Sequence, residues 1–185
     1  MIAVSVALLI AQGGVPGAET LRAHPPVVSA PASTPVAPVR VAIDPGAAVT
    51  LFKTLCLPNL TDADAFAAAV AASDLKFASV PRRDTGPGQT WRADRALVTY
   101  GQARDGAMRC TVLGRAAASV DHLNLSARVA EALVLKTGRT RSGKGQPVTD
   151  WSAAGPDGRA VRISAGTRNA ADGGTDIRLS AALAK

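Results

Sequence analysis

Residues 159–183, RAVRISAGTRNAADGGTDIRLSAAL, indicate the fold of this chain most clearly. Apolar side chains occupy every second position in the segments 159–166 and 175–183, which is the pattern of β-strands with one buried face. The intervening residues 169–174 are rich in glycine, asparagine and aspartate, and such residues favour a hairpin loop. The stretch therefore predicts two neighbouring antiparallel strands.

Three more strands are predicted on the N-terminal side of this hairpin. Residues 148–153 precede it across the tight-turn sequence GPDG at 155–158. Residues 90–101 and 108–112 alternate in the same way on either side of the turn sequence RDG at 104–106. They predict a second hairpin.

Three helices are predicted from apolar residues at helical spacing. The first covers residues 48–57, the second starts at a capping-box-like pair, Thr61 and Asp64, and the third covers residues 119–136. The order of elements is then ααββαβββ. It predicts an α+β domain with an antiparallel β-sheet of about five strands and three helices packed mainly on one face.

The N-terminus has the pattern of a secretory signal peptide, which we assign to residues 1–18. Its apolar run, residues 2–11, suits the hydrophobic region of such a peptide and is about half the length needed to cross a bilayer as a helix. The alternative is a mis-started N-terminus whose apolar residues belong to a helix. We expect a periplasmic or secreted protein without a transmembrane segment in the mature chain.

A proline-rich and alanine-rich linker is predicted at residues 19–46. Prolines recur through it, and the small residues between them offer little apolar surface to bury, so an extended spacer is expected. The remaining residues, 47–185, are of ordinary size for one domain.

The two cysteines, Cys56 and Cys110, are expected to form a disulfide, because an exported protein folds in an oxidising compartment. The bond would close a loop of roughly fifty-five residues and stabilise the fold by about 4 kcal/mol at most. Two buried free thiols are the alternative.

The chain is strongly basic, with a net charge of +7 at pH 7. Basic loops attract anions, so we identify a candidate anion-binding patch. Its members are Arg82, Arg83, Lys136, Arg139, Arg141 and Lys144. The alternative is a solvated basic loop. Nucleic acid is not expected as a partner, because only 3% of the residues are aromatic and the N-terminus indicates export.

Residues 138–145, GRTRSGKG, contain the spacing GxxxxGK of a phosphate-binding loop. A nucleotide site is not predicted, because a helix precedes the motif, a strand follows it, and Gly145 stands where a hydroxyl residue is needed. No metal site and no cofactor are expected, since two histidines and two distant cysteines offer few ligands.

Asp121, His122, Ser119 and Ser126 are the residue types of a hydrolytic triad. They lie close together in sequence at the start of one predicted helix, where capping explains most of them. Trp91 and Trp151 are predicted to pack in the core, with a stacking platform for a sugar or peptide as the alternative.

The chain resembles an uncharacterised family of small proteobacterial periplasmic proteins and lipoproteins. The resemblance covers about residues 48–115 and lies in the pattern Phe52-x-x-x-Cys56 of the first helix and Cys110-x-Val112 of a later strand. The lipid-attachment cysteine of the lipoprotein members is missing here. The resemblance implies the disulfide and the compartment, and it implies no activity.

Together these patterns predict a non-enzymatic domain that binds another molecule in the cell envelope. The expected partner is an anionic envelope component or another envelope protein. The alternative is a small periplasmic hydrolase-like enzyme that uses His122.

Overall fold

The computed structural model describes residues 41–81, 88–143 and 146–184. Three helices lie in these ranges: α1 (Pro45–Leu55), α2 (Ala63–Ala71) and α3 (His122–Ala132). The strands are β1 (Ala78–Val80), β2 (Gly88–Arg92), β3 (Ala96–Gln102), β4 (Met108–Ala116), β5 (Arg139–Gly143), β6 (Gln146–Ala154), β7 (Ala160–Asn169) and β8 (Thr175–Leu183).

All eight strands belong to one antiparallel sheet with the order β1-β2-β3-β4-β8-β7-β6-β5. Each half of the sheet is a run of four sequential strands. The halves join where β4 pairs with β8, in a register that places Val112 opposite Leu179. Helix α3 connects β4 to β5 and so carries the chain from the centre of the sheet to its far edge.

The helices cover one face of the sheet. Helix α1 packs on β4 and β8, and α3 packs on β6 and β7. Helix α2 lies over β2 and β3, because Phe66 stacks on Tyr100 with ring centroids 4.4 Å apart and contacts Trp91 at 5.3 Å. The apolar residues of alternate strand positions fill the space between the two layers.

The predicted strand count is wrong, although the α+β class is confirmed. The sheet has eight strands instead of about five, and the element order is ααββββαββββ instead of ααββαβββ. The predicted strand at 90–101 is two strands, because the chain turns at 93–95 without a glycine or proline to mark the turn. β1 was missed because it has only three residues.

The third missed strand, β5, lacks the apolar alternation that identifies a half-buried strand. All five of its residues are exposed. It is an edge strand held by its ladder to β6, in which Arg139 pairs with Asp150 and Gly143 pairs with Gln146. Burial does not determine its sequence, so hydrophobic patterning could not find it.

Helix α1 begins three residues earlier than predicted. Asp44 caps it by accepting hydrogen bonds from the backbone N–H groups of Gly46 and Ala47 at 2.8 and 3.1 Å, and Pro45 occupies the first helical position. Ile43 is buried against the sheet. Residues 41–46, assigned to the linker from sequence, therefore contact the folded part. The predicted signal peptide and residues 19–40 lie outside the described residues.

The disulfide between Cys56 and Cys110 is confirmed. Cys56 is the C-cap of α1, and Cys110 faces the helices from β4, with 5.4 Å between the two Cα atoms. The bond fixes the end of the central helix to a central strand. No helix within the described ranges is long and apolar enough to cross a membrane.

Candidate anion-binding face

The sheet face opposite the helices, here called the outer face, carries the alternate side chains of every strand. Residues paired across an antiparallel ladder point to the same face. Thr111, Ser180, Ser164 and Asp150 therefore form one row across β4, β8, β7 and β6. This row is polar, whereas the neighbouring row on the helix side is apolar.

Arginines dominate the outer face of the central and C-terminal strands. Seven of them share this face on β4, β5, β7 and β8, and none of the three lysines in the described ranges lies there. They are Arg109, Arg115, Arg139, Arg141, Arg162, Arg168 and Arg178.

Asp150 holds two of these arginines in place. It accepts hydrogen bonds from Arg141 Nε at 2.8 Å and from Ser164 Oγ at 2.6 Å, and Arg162 Nη2 lies 3.2 Å away. Burial raises the pKa of the Asp150 carboxyl, but these three partners outweigh it and hold the pKa at about 2. Asp150 is therefore ionised at every physiological pH.

A second carboxylate, Asp176, has the same role at the other end of the face. It pairs with Arg115 at 3.0 Å and with Arg168 at 2.6 Å. Arg115 also pairs with Asp172, and Arg109 lies 3.4 Å from Asp105. On β4, β5, β7 and β8, the seven arginines have four carboxylate partners, which leaves three positive charges in excess.

Three adjoining grooves cross the outer face, with volumes of about 280, 400 and 420 Å³. Arg178 lines all three. Within the described ranges it has no carboxylate within 4 Å, so its guanidinium is the least neutralised charge at the centre of the face. An anion approaching this face meets Arg178 from any of the three grooves.

The candidate patch predicted from sequence lies partly on this face. Arg139 and Arg141 belong to β5 and point to the outer face. Lys136 is exposed in the connection between α3 and β5, and it lines none of the three grooves. The remaining members of the predicted patch, Arg82, Arg83 and Lys144, lie outside the described residues.

Sequence reasoning missed the arginines of β4, β7 and β8. A signal for them existed, because the alternation that identified Val161, Ile163 and Ala165 as inward also gives Arg162 as outward. The alternation does not say which strands are neighbours. The β4–β8 pairing brings Arg109 and Arg178 to the same face, and that pairing joins distant parts of the chain.

The residues of the suggested hydrolytic triad lie on the opposite side of the sheet. Asp121 is the N-cap of α3 and accepts from the backbone N–H of Asn124 at 2.8 Å. His122 is buried, and its Nε2 lies 2.9 Å from Thr149 Oγ1 and 3.3 Å from Ser126 Oγ. Burial lowers the pKa of His122, and Asp121 only partly offsets this effect.

This geometry differs from that of a hydrolase site. His122 Nδ1 is 3.2 Å from the hydroxyl of Thr167, and among the described residues it has no carboxylate to orient it. Ser126 bonds to Thr149 at 3.0 Å and is itself buried. The three grooves of the outer face are lined by neither His122 nor Ser126. The side chains of His122, Ser126, Thr149 and Thr167 instead form hydrogen bonds with one another, so these buried polar groups have partners beneath α3.

Other candidates from the sequence have structural roles. Trp91 and Trp151 are both buried, and a Cβ added at Gly138 would lie 2.4 Å from Trp151 Nε1, so this glycine packs on the indole. The GxxxxGK segment begins after α3 and runs into β5, and β6 follows it. Within the described ranges, no three His, Cys, Asp or Glu side chains cluster as metal ligands would.

No protein-family model matches this chain, and comparisons with curated proteins and with solved structures find no significant match.

Proposed function

We propose that this chain is an exported, non-enzymatic domain that binds an anionic component of the cell envelope through its outer face. The observation that carries the proposal is the set of seven arginines that β4, β5, β7 and β8 place on the sheet face opposite the described helices, with three positive charges in excess over their carboxylate partners. The signal-peptide pattern, the disulfide and the resemblance to periplasmic proteins support the compartment.

The choice of arginine supports binding rather than solubility alone. Guanidinium groups are weakly hydrated and present five donors in a planar fork, so they form stronger pairs with oxyanions than lysine does. Asp150 and Asp176 form ion pairs with four of the seven side chains and restrict their conformations. An anionic partner therefore meets arginines whose conformational entropy is already partly lost.

The test is binding of the full chain to an immobilised anionic polymer at two ionic strengths. Raising the salt from about 0.05 M to about 0.5 M shortens the screening length severalfold and should release the protein. The double variant Arg162→Glu, Arg178→Glu should bind about tenfold more weakly at low salt, because it reverses two charges of the face.

The matched control places the same kind of charge change on the other side of the molecule. Arg128 is exposed on α3, which packs on the helix-covered face. The variants Arg128→Glu and Lys53→Glu together change the net charge by as much as the double variant of the outer face. If the two double variants lose binding equally, the net charge alone attracts the polymer, and the proposal is wrong.

A further inference from the structure

The smallest of the three grooves is walled by arginines. Its volume is about 280 Å³, and we call it the arginine slot. Its floor consists of Val148 of β6 and four small residues, Ser164, Gly166, Ser180 and Ala182, at the outer positions of β7 and β8. Its walls are the side chains of Arg109, Arg141, Arg162 and Arg178.

The register explains why four arginines converge on one slot. Arg109 and Arg162 lie on either side of Ala182 in one cross-strand row, two strands apart. Arg178 lies two rows away along β8, next to Gly166. Rows two apart are separated by roughly 13 Å at the backbone, and long arginine side chains can bridge that distance over a floor made mostly of small residues.

Carboxylates occupy only some of the guanidinium N–H donors of the arginine slot. Arg141 uses its Nε for Asp150, which leaves its two terminal nitrogens, and Arg162 is paired with Asp150 through Nη2 alone. Arg178 has no carboxylate within 4 Å in the part of the chain that the structure describes. Each guanidinium has five N–H groups, so donors remain available from several directions.

We propose that the arginine slot binds a phosphate group carried by an anionic polymer, an inference that rests on the proposed function. A tetrahedral phosphate presents more acceptor oxygens, in three dimensions, than a planar carboxylate does, so it can accept hydrogen bonds from more guanidinium groups at once. Asp150 pairs with Arg141 and Arg162 through a single nitrogen of each, which leaves their other donors for such an anion. The adjoining grooves, which share Arg178, hold the neighbouring units of the polymer.

The experiment compares two linear probes of equal charge and ionic strength, inorganic polyphosphate and polyglutamate, binding to the full chain. Polyphosphate should bind about tenfold more tightly, because fork-shaped donors favour the tetrahedral oxyanion. Arg178→Lys retains the charge and loses the fork, so it should weaken polyphosphate binding about fivefold and change polyglutamate binding less than twofold. Arg128→Lys is the matched control and should change neither.

The outcomes separate this inference from the proposed function. Equal affinities for the two probes, with no effect of Arg178→Lys, would overturn the phosphate subsite and leave anion binding by the outer face intact. Failure to bind either probe would overturn both. Inorganic phosphate alone is the third arm. If inorganic phosphate competes only at a much higher concentration than polyphosphate, a polymeric ligand is supported. If inorganic phosphate binds as tightly per phosphate group, the ligand is the free ion and the assignment of a polymer is wrong.

Discussion

Phe66 is the main anchor of α2 on the sheet. Its side chain is fully buried and stacks on Tyr100, and the Tyr100 hydroxyl donates to the backbone carbonyl of Leu60 at 3.1 Å. Only Phe66 and Val70 of this nine-residue helix are buried. The chain has six aromatic residues in all, and three of them, including Trp91, meet at this point.

Replacing Phe66 by alanine should therefore lower the free energy of unfolding by about 3–5 kcal/mol, because it leaves a cavity between α2 and the sheet. The measurement is urea unfolding of parent and variant. Leu123→Ala is the control, since this side chain is 66% exposed and its loss should change the free energy by less than about 0.5 kcal/mol. Similar effects of the two substitutions would contradict the anchoring role of Phe66.

The buried His122 should make stability depend on pH. Burial lowers its pKa in the folded state below the ordinary value of 6.5, so below that pH the unfolded chain binds more protons than the folded chain. The free energy of unfolding should be greatest above pH 6.5 and fall as the pH is lowered through the folded-state pKa. Asp150 contributes in a separate window, because its pKa of about 2 lies below the ordinary 3.8.

Denaturant unfolding at a series of pH values between about 7 and 5 measures this slope. His122→Gln keeps a hydrogen-bonding side chain and cannot gain a charge, so its stability should be flatter over the same range. A parent protein whose stability does not change between these pH values would contradict a neutral buried His122.

At the scale of the elements, the sequence pattern predicted the strands that have one buried face, because burial determines which of their positions are apolar. β4, β6, β7 and β8 each have one buried face, and all four were predicted; the bounds of β8 agree with the prediction, whereas β4 and β7 extend four and three residues further. The edge strand β5 has no buried side, so its sequence is free of that constraint. Arg139 and Arg141 of this strand were nevertheless predicted as members of the basic patch, because their charge, unlike their strand conformation, can be seen in the sequence.

The disulfide links two elements, α1 and β4. Removing it with Cys56→Ala and Cys110→Ala should lower the free energy of unfolding by up to about 4 kcal/mol, because the bond closes a loop with a sequence separation of 54. Urea unfolding of the double variant measures the change. The parent protein with a reductant is the control and should lose a similar amount. A double variant as stable as the oxidised parent would contradict the stabilising role.

At the scale of the whole molecule, the chain folds as two halves with similar topology. Residues 45–116 supply helices and four sequential strands, and residues 122–183 supply a helix and four more. The arginine-rich face spans the junction of the halves, since Arg109 comes from the first and Arg178 from the second. The sequence periodicity correctly predicted that the residues next to these two arginines along the strands face the helices. Only the register between distant strands brings the arginines themselves together.

Export is a property of the whole chain and can be tested by mass. Expressed in a Gram-negative host, the periplasmic product should have lost about the first 18 residues, as a cleaved signal peptide requires. It should also be lighter by two hydrogens because of the disulfide. The Cys56→Ala, Cys110→Ala variant should show the cleavage without the two-hydrogen difference. An intact, reduced cytoplasmic chain would contradict export.

The pairing of β4 with β8 determines the order in which this fold can assemble. β8 follows every other strand in the sequence, so β4 lacks one of its two neighbours until the end of the chain is available for folding. Both cysteines lie in the first half, so the disulfide can form before β8 is paired. A first half that folds ahead of the second would expose the edge of a central strand, and an exposed strand edge favours aggregation.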